Sequence, residues 1–315
     1  MKSSFQTFGP IPSRRLGRSL GLNNIPPKIC SYSCVYCQIG RTLKTQIVRQ
    51  HFFSIEEIVE KVKQKVKQLR QNKEVIDYLS FVPDGEPTLD IKLGSEIDLL
   101  KPLGIKIAVI TNGSLIWQES VREDLSKADW VCVKVDAGSE EVWHKINRPN
   151  KSLSWGLVCE GILKFAKEYK GELNTDTMLI KGVNDGIEEI KRISDFLAEL
   201  KPAKSYIATP IRPPAESWVE PSDEKAVNIV YQVFSKRLSK VECLLACEGD
   251  NFASLGRFEE DLLNIVSVHP MHKKAVENLL QKTGAKWEVV ERLMRENRLK
   301  QVIYQGKRFY MRPVK

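Results

Sequence analysis

The sequence predicts an α/β fold: a parallel sheet curved into a partial barrel of about six strand–helix units, followed by a small α+β module. Three observations carry this. Apolar, β-favouring runs alternate with stretches of helical spacing through the body of the chain, the pattern of a parallel sheet with helices outside it. About six such units are too few to close an eight-stranded barrel. Beyond residue 268 the alternation gives way to two helical stretches and a hairpin.

Residues 9–28 are punctuated by Gly and Pro and carry Arg14, Arg15 and Arg18. Only Ser19 to Asn23 predicts a short strand, and the stretch reads equally as a basic lip over the following loop or as a solvated arm. Ser54, with Glu57 three residues on, predicts a capping box. Ile55, Ile58, Val59, Val62, Val66 and Leu69 then recur at helical spacing, with Lys61, Lys63, Lys65 and Lys67 mostly on the opposite, solvated face. Strands are expected over 75–82, 105–110, 130–135, 173–180, 206–208 and 241–246, and helices over 91–103, 121–128, 155–169, 187–200 and 224–238. Near the end, His269-Pro270 starts a helix with Ala275, Val276, Leu279 and Leu280 on one face, ending at Thr283-Gly284. Trp287, Val290, Leu293 and Met294 give another. Lys300 to Arg312 reads as two strands around Gln305-Gly306, a hairpin signal. The expected organisation is a barrel over 1–250, a connection over 251–267 and a winged-helix-like module over 268–315.

With 315 residues, 42% hydrophobic and 28% charged, the chain is an ordinary globular sequence. No run approaches the length of a membrane span, and the first residues lack an apolar signal region, so a cytoplasmic location without membrane association is expected. The net charge of +9 is uneven: residues 1–55 carry +8, residues 268–315 carry +8, and the body between is acidic. Two basic ends fit a polyanionic partner such as nucleic acid, or a generally basic surface.

Seven cysteines, three of them clustered, fit a reducing compartment and a cofactor better than a disulfide framework. The cluster is Cys30, Cys34 and Cys37, spaced C-x3-C-x2-C. Soft thiolates favour iron–sulfur clusters, zinc or Cu(I). A [4Fe–4S] cluster normally takes four cysteines, so one held by this trio keeps an iron open. Structural zinc, the alternative, wants four closed ligands and would need His51 or a distant cysteine.

Working residues of parallel α/β folds sit at the carboxyl ends of strands. Those ends carry Pro83-Asp-Gly85-Glu86-Pro87-Thr88, Thr111-Asn112-Gly113-Ser114, Lys134-Val-Asp136-Ala-Gly138, Lys181-Gly182-Val-Asn184-Asp185 and Thr209-Pro210-Ile-Arg212. Alternation places Cys132, Lys134 and Asp136 on one face, either as cofactor or substrate contacts or as an interior ion pair.

The cysteine spacing resembles the motif of the radical S-adenosylmethionine superfamily, whose partial (β/α)6 barrel matches the count above. The resemblance implies a [4Fe–4S] cluster on Cys30, Cys34 and Cys37, with S-adenosyl-L-methionine chelating the open iron and cleaved to a 5′-deoxyadenosyl radical. It implies Gly85-Glu86-Pro87 as the strand end that receives the methionyl amine on backbone carbonyls, with Asp84 where a first Gly is usual. It places Thr111 and Asn112 beside the cofactor and Tyr36 near the adenine, with Lys134, Asp136, Asn184 and Arg212 as further contacts. Phe8 to Gly21, Val82 to Leu89 and Thr209 to Glu216 resemble the wyosine-synthase-like group, related to tRNA 4-demethylwyosine synthases, over roughly residues 5–220. Archaeal-type synthases hold a second cluster on three upstream cysteines, whereas Cys30 is the first cysteine here. Cys243 and Cys247 are either auxiliary ligands or structural thiols; Cys132 and Cys159 read as structural.

The first functional reading is a radical enzyme that modifies RNA, such as tRNA, held by residues 9–28 and 268–315 and supplied by a reductant such as flavodoxin or ferredoxin. The second is the same chemistry on a peptide or protein, or activation of a glycyl-radical enzyme. The third, of another class, is a non-enzymatic metal-binding regulator that reads nucleic acid.

Overall fold

The computed structural model describes residues 5–245, 252, 254 and 256–313. Ala246 and Cys247, the latter half of the expected thiol pair, lie outside the described residues.

The chain opens with an antiparallel hairpin, β1 (Gln6–Ser13) and β2 (Gly17–Asn23). Strand β1 leaves no pattern in the sequence because Pro10 and Pro12 interrupt it, and Pro is tolerated in a strand only at a sheet edge, which is where β1 lies. Arg18 therefore lies in β2, and Arg14 and Arg15 in the turn of the hairpin, so this stretch is not a solvated arm. Next come α1 (Ile55–Gln71), β3 (Tyr78–Phe81), α2 (Leu93–Leu100), β4 (Lys106–Thr111), α3 (Glu119–Leu125), β5 (Trp130–Lys134) and α4 (Glu140–Asn147). Then follow α5 (Trp155–Glu168), β6 (Glu172–Met178), α6 (Ile187–Leu200), β7 (Lys204–Ala208), α7 (Glu224–Ser235) and β8 (Val241–Leu244). The eight strands form one open sheet in sequence order, parallel from β2 to β8. The first barrel unit is thus β2 with α1, and the cysteine loop is its β-to-α connection.

Alternation sorts the sheet into two faces. Val109, Val131 and Val133 point outward and join Val62, Ile97, Ile162, Leu197 and Val230 of the helices in the main core. Each such side chain contributes roughly 1.5–3 kcal/mol by leaving water. Ala108, Trp130, Cys132, Tyr206, Ala208 and Leu244 make a smaller cluster on the other face. At the start of α1 the capping box is only half formed. Ser54 Oγ accepts from Glu57 N at 3.3 Å, but the Glu57 carboxylate is taken by Lys61 at 2.8 Å, four residues on. Helix α4 escapes sequence periodicity because eight residues give only two buried apolar anchors, Trp143 and Ile146, before the chain turns at Arg148.

The expected connection 251–267 contains a helix, α8 (Phe258–Val268). After it come β9 (Met271–His272), α9 (Lys273–Thr283), α10 (Glu288–Arg295), β10 (Lys300–Tyr304) and β11 (Lys307–Met311). Helix α9 starts after His269-Pro270 rather than at it, because Met271 and His272 are taken by the sheet β10-β11-β9. Gly284 at φ 68° ends α9, a left-handed cap that favours glycine. Leu262, Ile265 and Val266 of α8 share a core with Leu279, Leu293 and Tyr310, and with Phe8 and Ile11 of β1. The C-terminal elements are thereby packed onto the N-terminal hairpin. Among the described residues no helix is long and apolar enough to cross a membrane.

Candidate active site at the carboxyl ends of the strands

The loop leaving β2 carries Cys30, Cys34 and Cys37 as free, half-buried thiols. Its backbone is tied down from several sides: Ser33 N donates to Asn147 O at 3.0 Å, Val35 N to Ile146 O at 2.9 Å, and Gln46 N to Cys30 O at 3.0 Å. Helix α4, invisible in the sequence pattern, therefore clamps this loop. Nitrogen donors reach every sulfur. Asn112 Nδ2 lies 3.6 Å and Tyr32 N 3.5 Å from Cys30 Sγ, Asn147 Nδ2 3.5 Å from Cys34 Sγ, and Lys28 Nζ 3.8 Å from Cys37 Sγ. Burial pushes the Cys34 thiol up to about 12, with Asp136 adding to it, and burial likewise raises Cys30. A cationic centre would offset that cost, since coordinated thiols are deprotonated.

Next to the loop is the end of β3. A Cβ on Gly85 would stand 1.8 Å from Ile29 O, so only glycine lets the two backbones meet. Glu86 N donates to that same carbonyl at 3.1 Å. The Glu86 side chain turns inward and accepts from Thr88 N at 3.1 Å, Thr88 Oγ1 at 2.6 Å, Thr111 Oγ1 at 2.5 Å and Asn112 N at 2.7 Å. Its carboxyl still sits above the ordinary range because burial outweighs those donors. Glu86 and Thr111 thus fasten the β3 and β4 ends together. Pro87 is buried in the first turn of a short 3-10 helix. Asn112 faces the loop, donating to Ser31 Oγ at 2.8 Å.

The β5 and β6 ends hold a buried charge network. Lys134 Nζ is 3.0 Å from Asp176 Oδ1 and 3.4 Å from Asp136 Oδ1, and Arg15 reaches Asp176 from the N-terminal hairpin. Burial disfavours the Lys134 ammonium, but Asp136 and Asp176 outweigh it and hold its pKa above the ordinary value. Asp176 is held low by Arg15 and Lys134 against its own burial. Tyr36 donates its hydroxyl to Asp136 while Lys134 Nζ lies over its ring, 5.2 Å from the centroid. The Lys134–Asp136 pair is thus an interior ion pair extended by Arg15 and Asp176. Asn184 is fully spent on backbone: its Oδ1 accepts from Ile180 N, and its Nδ2 donates to Asp136 O and Met178 O, each at 2.8 Å. It shapes the β6 loop instead of facing a ligand.

A cavity of about 310 Å³ opens over these groups, lined by all three cysteines, Tyr32, Tyr36, Lys28, Gly85 and Met178. His269, from the C-terminal elements, is also in its wall. Arg212 Nη2 is 3.1 Å from His269 Nε2, and Arg212 Nη1 donates to Gln38 Oε1 at 2.8 Å, so Arg212 holds two wall residues rather than lining the space itself. Asp84, buried where the sequence shows a departure, faces Arg312 Nη1 at 2.9 Å. Burial raises the Asp84 carboxyl, and Arg312 and Lys28 partly offset that. Tyr304 donates to Pro210 O at 2.8 Å. Beside the cavity runs a larger cleft of about 1040 Å³ between the cysteine loop and α8, with Lys28, Arg41, Lys44, Arg298 and Arg312 in its walls. Sequence reasoning missed Lys28, which lies in a turn, Asn147, on the unrecognised α4, Asp176, inside the expected strand rather than at its end, and His269 and Arg312, far along the chain. Only the departure at Asp84 signalled that something unusual meets this strand end.

Three soft sulfur donors, each approached by a nitrogen donor, fit an iron–sulfur cluster.

Comparison with known proteins agrees with the geometry. The family described as the radical SAM superfamily matches residues 24–197. A UPF0026 protein of Methanocaldococcus jannaschii is 44% identical over 310 residues, 98% of this chain and 96% of that protein. Among solved structures, a radical SAM methyltransferase from Sphaerobacter thermophilus aligns with TM-score 0.57 at 15% identity, covering 72% of this chain and 67% of that one. TYW1 with a lysine–pyruvate adduct aligns with TM-score 0.52 at 19% identity, covering 70% of this chain and 74% of the other.

Proposed function

The chain belongs to the radical SAM superfamily, and on that premise we propose that Cys30, Cys34 and Cys37 hold the [4Fe–4S] cluster and that the Gly85 strand end receives S-adenosylmethionine. One observation carries the reading: three thiols, each with a nitrogen donor, share a single cavity with the backbone at Gly85. Such a cluster supplies one electron for reductive cleavage of S-adenosylmethionine, and the cofactor carries the hard chemistry. The chain's own part is to position and shield. Gly85 permits the close approach of the β3 end to the cysteine loop. Glu86 fixes the Gly85 and Asn112 strand ends at one level through its inward carboxylate. Met178 and His269 narrow the cavity and limit water. Tyr36 and the Lys134–Asp136–Asp176 network form a rigid, charge-balanced floor.

We take the substrate to be RNA, with tRNA as the first candidate. Supporting this are the cations in the walls of the large cleft, Lys28, Arg41, Lys44, Arg298 and Arg312, of which Arg41, Arg298 and Arg312 also pair with Glu216, Glu259 and Asp84, and its sharing of Lys28 and Ile39 with the cysteine cavity. The order helix, strand, helix, helix, hairpin from α8 to β11 is that of a winged helix, a module that contacts phosphate backbones in other settings.

Anaerobically reconstituted protein is expected to bind about four irons and, once reduced, to release 5′-deoxyadenosine. Cys34→Ala is expected to abolish that release; turnover by Cys34→Ala removes the thiols from the reaction. Mass spectrometry of tRNA nucleosides from cells with and without the gene tests the substrate, and identical nucleoside profiles would favour a protein substrate.

A further inference from the structure

Lys28 is the only residue of its loop that points a full positive charge at one of the three thiols among the contacts described. Its Nζ lies 3.8 Å from Cys37 Sγ and donates to Gly40 O at 2.5 Å. Its backbone is at φ 67°, the left-handed region where glycine is the ordinary choice and a long side chain is strained. That conformation is held by Lys28 N donating to Asp84 O at 2.9 Å. The donors to the other two sulfurs are neutral: Asn112 and Tyr32 N on Cys30, Asn147 on Cys34.

We propose that Lys28 is a positioning residue for electron entry: its ammonium stabilises the reduced, more negative cluster through Cys37 and makes it easier to reduce. The inference rests on the assignment of the three cysteines as cluster ligands. Physically, hydrogen bonds and positive charge at a ligand sulfur raise the reduction potential of an iron–sulfur centre. The oxidised cluster takes one electron from an external one-electron carrier, and the extra negative charge is spread over sulfurs that include Cys37. A unit charge a few ångströms away, in a half-buried loop, acts through an effective dielectric far below that of water. Lys28 also lines the large cleft, so it lies where an incoming carrier or substrate would reach the cluster first.

The test is an anaerobic redox titration of reconstituted wild-type, Lys28→Gln and Lys28→Arg proteins, followed by the electron paramagnetic resonance signal of the reduced cluster with iron counted in each. Gln keeps a neutral donor for Gly40 O and loses the charge; Arg keeps the charge. At a fixed solution potential the ratio of reduced to oxidised cluster in Lys28→Gln is expected to fall about tenfold, equivalent to 59 mV for a one-electron couple, while Lys28→Arg stays within about threefold of wild type. A fully loaded Lys28→Gln protein with the wild-type ratio overturns the proposal, as does an Arg variant that falls as far as Gln. If Lys28→Gln does not hold iron, wild-type protein carrying lysine labelled with 15N at Nζ replaces it. A 15N coupling in the pulsed spectrum of the reduced cluster is then expected, and its absence overturns the proposal. Wild-type protein that binds no iron defeats the cysteine assignment instead, so the two failures are distinguishable.

Discussion

At Gly85 there is no room for a side chain, and the obstacle is backbone. A Cβ would stand 1.8 Å from Ile29 O, which cannot rotate away as a side chain would. Gly85→Ala must therefore push the β3 end and the cysteine loop apart, at about 1–3 kcal/mol, the usual cost of overpacking. The expected outcome is a lower melting temperature together with iron content reduced by more than half; full iron at wild-type stability would show that the close approach does not matter. Glu86 is the complementary case. Its two carboxylate oxygens accept four donors from Thr88, Thr111 and Asn112. Glu86→Gln replaces one accepting oxygen by an NH2 that faces donors, leaving buried hydrogen bonds unmade at about 1–3 kcal/mol. Thermal unfolding reads that loss, and an unchanged melting temperature would mean that the two strand ends are held by something other than this carboxylate. Both residues were legible in the sequence as a Gly-Glu-Pro strand end. The inward turn of Glu86 was not, because short-range pattern does not say which neighbouring strand supplies donors.

At the scale of elements, the sheet and its outer helices were legible because each rests on its own apolar periodicity, as in α6, whose bounds match the spacing of Ile190, Ile193 and Leu197. Elements whose stability comes from partners were not. Strand β1 is an edge strand broken by two prolines, α4 is too short to show a period, and α8 finds its apolar partners in β1, more than two hundred residues upstream. Helix α2 carries a different lesson. Glu96 on α2 and Asp90 just before it are buried together, with Asn24 Nδ2 3.5 Å from Glu96 Oε2. Burial, and then the Asp90 charge, raise the Glu96 carboxyl well above its usual range; burial raises Asp90 too. The sign follows from proton linkage. Below the ordinary carboxylate range both folded and unfolded chains hold the proton, and the contribution is full. As pH rises the unfolded chain releases its proton first, so stability is lost through the folded-state titration of the pair. Wild-type melting temperature should therefore fall as pH climbs from about 5 to about 9, whereas Glu96→Gln, which keeps a donor for Asp90, should lose this component. One kcal/mol corresponds to about 2–4 °C in a domain of this class. Parallel melting curves for the two proteins across that range would remove the shared proton from the explanation.

For the whole molecule, the sequence located two basic ends but not what their charges face. Arg15 is spent on Asp176 inside the sheet, Lys282 on Glu74 of the α1–β3 turn, and Arg292 and Arg298 on Glu259 of α8. Much of the C-terminal charge thus joins that unit to itself and to the barrel, leaving Lys274, Lys286, Arg295 and Lys300 without a described partner and better placed for an outside anion. Arg312 is the sharpest case, because it reaches the strand end where the sequence departs from its family. Its guanidinium pairs with Asp84, whose side chain is fully buried, while the Arg312 backbone N donates to Val266 O at 3.2 Å. Removing one partner of a buried pair is costly because the other charge stays behind, about 3–5 kcal/mol for a fully buried pair; Arg312 is 32% exposed, which lowers the figure. Arg312→Met should therefore loosen α8 and β11 from the barrel, read as faster hydrogen exchange in α8, α9 and the hairpin with little change in α6. It should also open the wall that His269 forms, so that 5′-deoxyadenosine is released without matching substrate modification. Adding Asp84→Asn to Arg312→Met removes the stranded charge and should recover most of the protection. If the double variant exchanges as fast as Arg312→Met alone, the ion pair is not what holds the two units together, and the apolar contact of Leu262 and Ile265 with Phe8 and Ile11 must carry the junction instead.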